Sequence, residues 1–396
     1  MRSKEALRGL VLSVFSIALT LLFAELVMRV FHLGPGDDFK HHVLFCEFDP
    51  VLGWAKKPGH TGRHVTDEYS VTETLNSNGL RGPEYPYEKP DGEYRVLVLG
   101  DSYAEGYTVE FEQTFAEVLK TRLNAAGKRA PSGGSFQVIN AGTGGYSTDQ
   151  ELLFFDREGR KYSPDLVILQ FCDNDIWYNA QGLYNRGAKP LFRLDANGKA
   201  DLGDVLYPEK AQGPPPPAKK TSLAARAAGW FAARARVGRL LAQSLHTGKA
   251  ELPDEMRVMT MNDDPEVREA WRITEALVLK LREEVVAEGA EFLVLWAPSW
   301  AAVQGMDFRP ARGGRYRLSS DGGLDPAKPA ADLEAVCRKH GIRFLDPTAE
   351  MRNVVEATRT DLYFRKDSHW NVEGHKVAGE ILARECGERV QERAVA

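Results

Sequence analysis

The sequence predicts an α/β fold, a parallel sheet covered by helices on both faces. Three observations carry this. Short apolar runs alternate with helix-like segments between about residues 94 and 386. Runs such as Val96-Leu97-Val98-Leu99 and Leu166-Val167-Ile168-Leu169 are apolar throughout, as strands buried on both sides must be. Each run ends in a turn-forming cluster, for example Gly100-Asp101 or Gly142-Thr143-Gly144-Gly145.

Taken in order, Tyr94 to Gly100 reads as a strand and Phe111 to Asn124 as a helix. Phe136 to Asn140 is a strand, Ser147 to Arg160 a helix and Asp165 to Phe171 a strand. Pro265 to Glu288 is a long helix, followed by the strand Glu291 to Trp296. Pro329 to His340 is a helix, Ile342 to Leu345 a strand and Val372 to Cys386 the last helix. This alternation is the pattern of crossover connections between parallel strands. Residues 32–90, rich in turn pairs such as Pro58-Gly59 and Asn78-Gly79, read as an irregular lead-in to the α/β domain over 91–390. An insertion at about 180–264 breaks the rhythm. It holds the Pro214 to Pro217 run, a stiff spacer, and a basic segment from Ser222 to Ser244 with Arg226, Arg234, Arg236 and Arg239. That segment reads as a helix beside the site, with a basic face toward anionic lipid or glycan as the alternative.

At the N-terminus, Arg2, Lys4 and Arg8 precede an apolar stretch. At about 1.5 Å per residue, roughly 20 helical residues cross a hydrocarbon core. The expectation is a cytoplasmic tail over 1–9 and a transmembrane signal anchor over 10–31. The α/β domain is then expected on the periplasmic or extracellular side. A cleaved signal peptide is the competing reading, although Ser16-Ile17-Ala18 lies inside the apolar stretch. Glu25 and Arg29 are spaced to pair on one helix face. The net charge of -5 argues against nucleic acid as a partner. Cys46, Cys172, Cys337 and Cys386 form no Cys-x-x-Cys pair, so neither zinc nor dithiol chemistry is expected, and spacing assigns no disulfide.

Four blocks carry chemistry. Gly100-Asp101-Ser102 puts a hydroxyl just beyond a strand's carboxyl end, where open α/β sheets place their sites. Asp367-Ser368-His369-Trp370-Asn371 supplies an imidazole to take the Ser102 proton and a carboxylate to orient it. In an extended chain the side chains of Asp367 and His369 share a side. Gly144-Gly145 lies in a glycine-rich turn whose N–H groups can hold an oxyanion, and Asn174 can aim its amide there. Singly, these blocks also fit helix caps and ordinary turns. Together they describe an acyl-transferring serine enzyme. His375, inside the last helix, reads as structural, and Asn371 as that helix's N-cap.

These blocks resemble the SGNH, or GDSL-type, hydrolases, whose Ser, Gly, Asn and His blocks occur here in order from about Tyr94 to Cys386. Asn78-Gly79-Leu80-Arg81-Gly82 and the apolar N-terminus resemble a membrane-anchored bacterial branch. The resemblance implies a three-layer, flavodoxin-like sandwich. It makes Ser102 the nucleophile, His369 the base, and Ser102, Gly145 and Asn174 the oxyanion hole, with no metal or cofactor. Lys366 stands where many members carry the acid, and Cys172 where glycine is usual. Asp367-x-His369-Trp370 is instead similar to alginate O-acetyltransferase-like proteins. The expectation is an extracytoplasmic serine esterase acting on acetyl esters, with an acylated glycan as the candidate substrate and the bilayer as the N-terminal partner. An envelope-polysaccharide O-acetyltransferase is the alternative, and an inactive glycan-binding protein the third.

Overall fold

Five of the apolar runs pair into one parallel sheet. The computed structural model describes residues 2–30, 40–125, 130, 133–184, 187–208, 253–305 and 323–395. The sheet order is Arg343–Leu345, Glu291–Trp296, Leu166–Phe171, Tyr94–Leu99, Phe136–Asn140. Leu166–Phe171 is central, and Tyr94–Leu99 lies between it and the edge strand Phe136–Asn140, with Val98 opposite Asn140 and Leu99 opposite Leu169. The order reverses between Tyr94–Leu99 and Leu166–Phe171, so the turns after these two strands open into the crevice at the switch point.

Both faces of the sheet are buried, which explains the unbroken apolar runs. Leu97, Leu99, Ile139 and Leu169 enter one core, with Leu152 and Phe155 of the Thr148–Arg157 helix and Leu277 and Leu281 of the Pro265–Ala287 helix. Val96, Val98, Val138 and Ile168 enter the other, with Leu119 of the Phe115–Ala125 helix and Leu382 of the Val372–Val395 helix. The helix expected over Phe111 to Asn124 is divided. Thr114 is extended (φ −64°, ψ 149°), so a 3-10 turn at Phe111–Gln113 precedes the helix proper.

The lead-in is more regular than its sequence suggested. Cys46–Asp49 pairs antiparallel with Gly53–Lys56, and Thr61–Val65 with Ser70–Thr74. The second hairpin escaped notice because its buried face carries His64 and Glu73 beside Val71, so burial alternates while hydropathy does not. Cys46, Leu52, Trp54 and Leu80 complete the first core. Within the insertion, Leu191–Leu194 pairs with Ala200–Leu206, and Lys189, fully buried, bonds Asp149 at 2.7 Å. The basic segment from Ser222 to Ser244 lies outside the described residues. All four cysteines are buried.

Arg2–Val30 forms a separate helix, and a row of large apolar side chains on it is exposed, Phe15, Leu22 and Phe23 among them. Among the described residues, no helix is long and apolar enough to cross a membrane. The transmembrane anchor expected over 10–31 is therefore not shown. Arg29, the expected partner of Glu25, has its side chain outside the described residues.

Arg81 fastens the lead-in to the chemistry-bearing loops. It is 1 % exposed, and its guanidinium donates to the carbonyls of Glu105 (2.8 Å), Gly106 (2.6 Å) and Val109 (2.6 Å). Arg81→Met strands three buried acceptors. It should lower the unfolding free energy by at least about 3 kcal/mol in urea titrations. A midpoint unchanged from wild type would show that these bonds hold nothing.

Candidate active site

The turn after Tyr94–Leu99 is built for a tight approach. A Cβ on Gly100 would stand 2.4 Å from Gln170 Oε1. That oxygen accepts from the backbone N–H groups of Asp101 (3.1 Å) and Ala104 (3.0 Å), tying the turn to the neighbouring strand. Asp101 caps the short Ser102–Glu105 helix by accepting from Tyr103 N–H at 2.9 Å. Ser102 is thereby held rigidly at the first helical position, 8 % exposed.

His369 Nε2 lies 2.7 Å from Ser102 Oγ, and His369 Nδ1 lies 2.6 Å from Asp367 Oδ1. A carboxylate only accepts, so Nδ1 carries the proton and the Nε2 lone pair faces the hydroxyl. The expected trio meets, but not by the expected route. The segment is not extended: Ser368 sits at φ 68°, and Ser368 N–H donates to Phe364 O at 2.9 Å. A tight loop closed by pairing of Tyr363 with Trp370 folds Asp367 back onto the imidazole. Asp361, a carboxylate of the preceding loop, is engaged elsewhere, by Gln304 and Arg365.

Asp367 is held on several sides. Tyr69 Oη donates to Oδ2 at 2.7 Å, and Tyr107 Oη contacts Oδ1 at 2.9 Å and Oδ2 at 3.1 Å. Glu68 accepts from the Lys366 and Asp367 N–H groups, both at 2.9 Å. Burial pushes the Asp367 carboxyl up, but the His369 charge and the bonds from His369, Tyr69 and Tyr107 outweigh it and hold it well below the carboxylate range. Burial pulls His369 down, yet Asp367 raises it above its ordinary 6.5. His375 does not take part. Burial and the nearby Arg81 charge lower it to about 3, and it accepts from Phe115 N–H inside the core. Asn371 caps the last helix as expected, accepting from Gly374 N–H at 3.0 Å.

Gly145 and Asn174 follow the strands on either side of Ser102's strand. Gly145 takes φ 76°. Among the described residues, Ser102 N–H, Gly145 N–H and the Asn174 side-chain N–H donate to no other group. The thiol of Cys172 lies 3.2 Å from Asp101 Oδ2 and 3.3 Å from Asn174 Oδ1. Burial, with Asp101 beside it, keeps that thiol protonated, so it is a donor that turns the Asn174 amide N–H group away from it. The Cys172 backbone is extended (φ −131°), a conformation open to any residue, so the family's glycine is not required there.

The profile of the GDSL-like lipase/acylhydrolase family matches residues 98–377. The chain belongs to that family. As a GDSL-type ester hydrolase it carries the Ser102 and His369 blocks inside the matched span. No curated protein matches it by sequence. Among solved structures it is similar to an acetyl xylan esterase, with 12% identity over 74% of this chain and 98% of that one, at a TM-score of 0.39. It is also similar to a catalytic mutant of an acetylxylan esterase from Geobacillus stearothermophilus (12% identity, 76% and 97% covered, TM-score 0.39). A lipase/acylhydrolase from Enterococcus faecalis gives 12% identity, 75% and 96% covered, and a TM-score of 0.37.

Tyr69, Tyr107 and Gln170 hold the expected site residues and were not flagged by the motifs. Tyr107 sits just beyond the serine block. Tyr69 has no local signal at all. With the carboxylate so held, Asp367→Asn should lose roughly 10²- to 10⁴-fold in turnover, while Lys366→Ala keeps most activity. A base at His369 has to be neutral, so activity through it should rise with pH across the raised His369 value. The acid limb of kcat/KM in wild type should lie above 6.5, and the residual activity of Asp367→Asn should show that limb at lower pH. An unshifted limb would remove Asp367 from its role.

Proposed function

We propose that this hydrolase works through a Ser102–His369–Asp367 acyl-enzyme mechanism on acetyl esters of a glycan. The continuous chain from Ser102 Oγ through His369 to Asp367 carries this reading. Ser102 Oγ attacks the ester carbonyl carbon as its proton passes to His369 Nε2. The oxyanion is met by the N–H groups of Ser102 and Gly145 and by the Asn174 amide. On collapse the C–O bond breaks and the alcohol leaves with the proton from His369. Water, deprotonated by the same imidazole, then attacks the acyl carbon and restores Ser102.

Mass spectrometry after fluorophosphonate treatment should place the adduct on Ser102, and Ser102→Ala should lower turnover by roughly 10³-fold or more. A label elsewhere, or retained activity, contradicts the mechanism. A sugar hydroxyl in place of water gives the second reading, an O-acetyltransferase for an envelope polysaccharide. The Asp367-x-His369-Trp370 spacing favours it. Incubation with an acetyl ester, with and without oligosaccharide, separates the two: free acetate marks the hydrolase, acetylated sugar the transferase.

The proposal includes attachment to a membrane through the N-terminal helix, with the catalytic unit on the extracytoplasmic side. Its support is the basic flank of Arg2, Lys4 and Arg8 and the exposed apolar row of that helix. The full chain should stay with membranes in alkaline carbonate, and a chain lacking residues 1–38 should not. Release of the full chain would end this part.

A further inference from the structure

A second set of buried polar groups lies beside the site and is not used by the acyl-transfer steps. Glu105 Oε2, at the end of the Ser102 helix, accepts from Gly144 N–H at 2.6 Å. Glu105 Oε1 is 3.1 Å from Lys56 Nζ, which is 3.2 Å from Glu73 Oε1, and Glu73 in turn bonds His41 at 2.7 Å. All four side chains are buried. Lys56 occupies the cation position between the two carboxylates. Burial opposes its charge, but Glu105 and Glu73 together raise it, so the ammonium persists. On the other side of the loop, Trp54 Nε1–H donates to Gly144 O at 3.2 Å. Trp54 is 2 % exposed, its own carbonyl accepts from Tyr146 Oη at 2.7 Å, and its ring stacks on Tyr184.

The Gly144 carbonyl and the Gly145 N–H belong to one planar trans peptide, so they point in opposite directions and turn together. Whatever fixes Gly144 O fixes the direction of Gly145 N–H. We infer that Trp54, with Glu105 on the preceding peptide, is a positioning residue that aims the Gly145 N–H at the developing oxyanion. This rests on the acyl-enzyme reading above. A Gly-Gly turn left to itself has little reason to keep one peptide orientation, and two hydrogen bonds from outside the loop supply it. Neither Trp54 nor Lys56 lies in the motif blocks. Both stand on the lead-in strand Gly53–Lys56.

Trp54→Phe keeps a ring in place and deletes the donor. The expected result, per fluorophosphonate-titrated site, is a kcat on an acetyl ester lowered about tenfold with KM unchanged. This is less than the 10²- to 10³-fold loss of an entire donor, because the Gly145 N–H remains but wanders. Inhibition by a boronic acid, whose tetrahedral adduct with Ser102 carries the anionic oxygen, should weaken by the same factor. A role confined to stability would reduce the titrated fraction and leave both quantities unchanged. Glu105→Met, which removes the acceptor of the Gly144 N–H, should show the same pattern, and it decides the matter if Trp54→Phe does not fold. Wild-type enzyme that is not labelled at Ser102 overturns the acyl-enzyme reading itself. Labelled wild type, with variants of wild-type kcat and boronate affinity or with only KM changed, overturns the positioning role alone.

Discussion

Three distant stretches of chain meet on one carboxylate. Asp367 receives His369 from its own loop, Tyr107 from just beyond the Ser102 helix and Tyr69 from the lead-in. A buried anion is costly unless its lone pairs are occupied by donors. Here three donors occupy them, and their convergence sets the geometry. The ring orientation of His369 follows from the bond at Nδ1, and the approach of Nε2 to Ser102 follows from the ring. Remove the carboxylate and the tautomer, the loop and the lead-in contact lose their common partner.

The sheet supplies the rest of the precision. Parallel strands with both faces buried cannot slide without exposing apolar side chains, so their carboxyl ends stay in register. Gln170 uses that register directly, reaching from one strand end to hold two N–H groups at the next. Cys172 does the same between Asp101 and Asn174. Side chains at strand ends thus tie the separate turns into one rim.

The sequence revealed what was local. Apolar runs between turn clusters marked all five sheet strands, and Ser102, Asp367 and His369 stood in short blocks of recognisable chemistry. What it hid was non-local or masked. The hairpin holding His64 and Glu73 buries polar residues, which erases the hydropathy alternation that betrays a strand. Tyr69 meets Asp367 across 298 residues and Tyr107 across 260, separations that no spacing rule addresses. Asp367 and His369 met for a reason the sequence did not offer: Ser368 adopts a left-handed conformation, which an extended reading of the segment excludes.

The Tyr69–Asp367 bond has a kinetic side. Closing a loop of that length costs entropy before the contact returns any free energy, so the contact is intrinsically slow to form. Asp367 and His369 also lie far along the chain from Ser102, so on the proposed mechanism a molecule in which these segments have not met has the hydroxyl but no relay to activate it. On that mechanism the hydrolase becomes competent only when residues 267 positions apart have met. Activity in a sample then reads the fraction of molecules in which these long-range contacts are made.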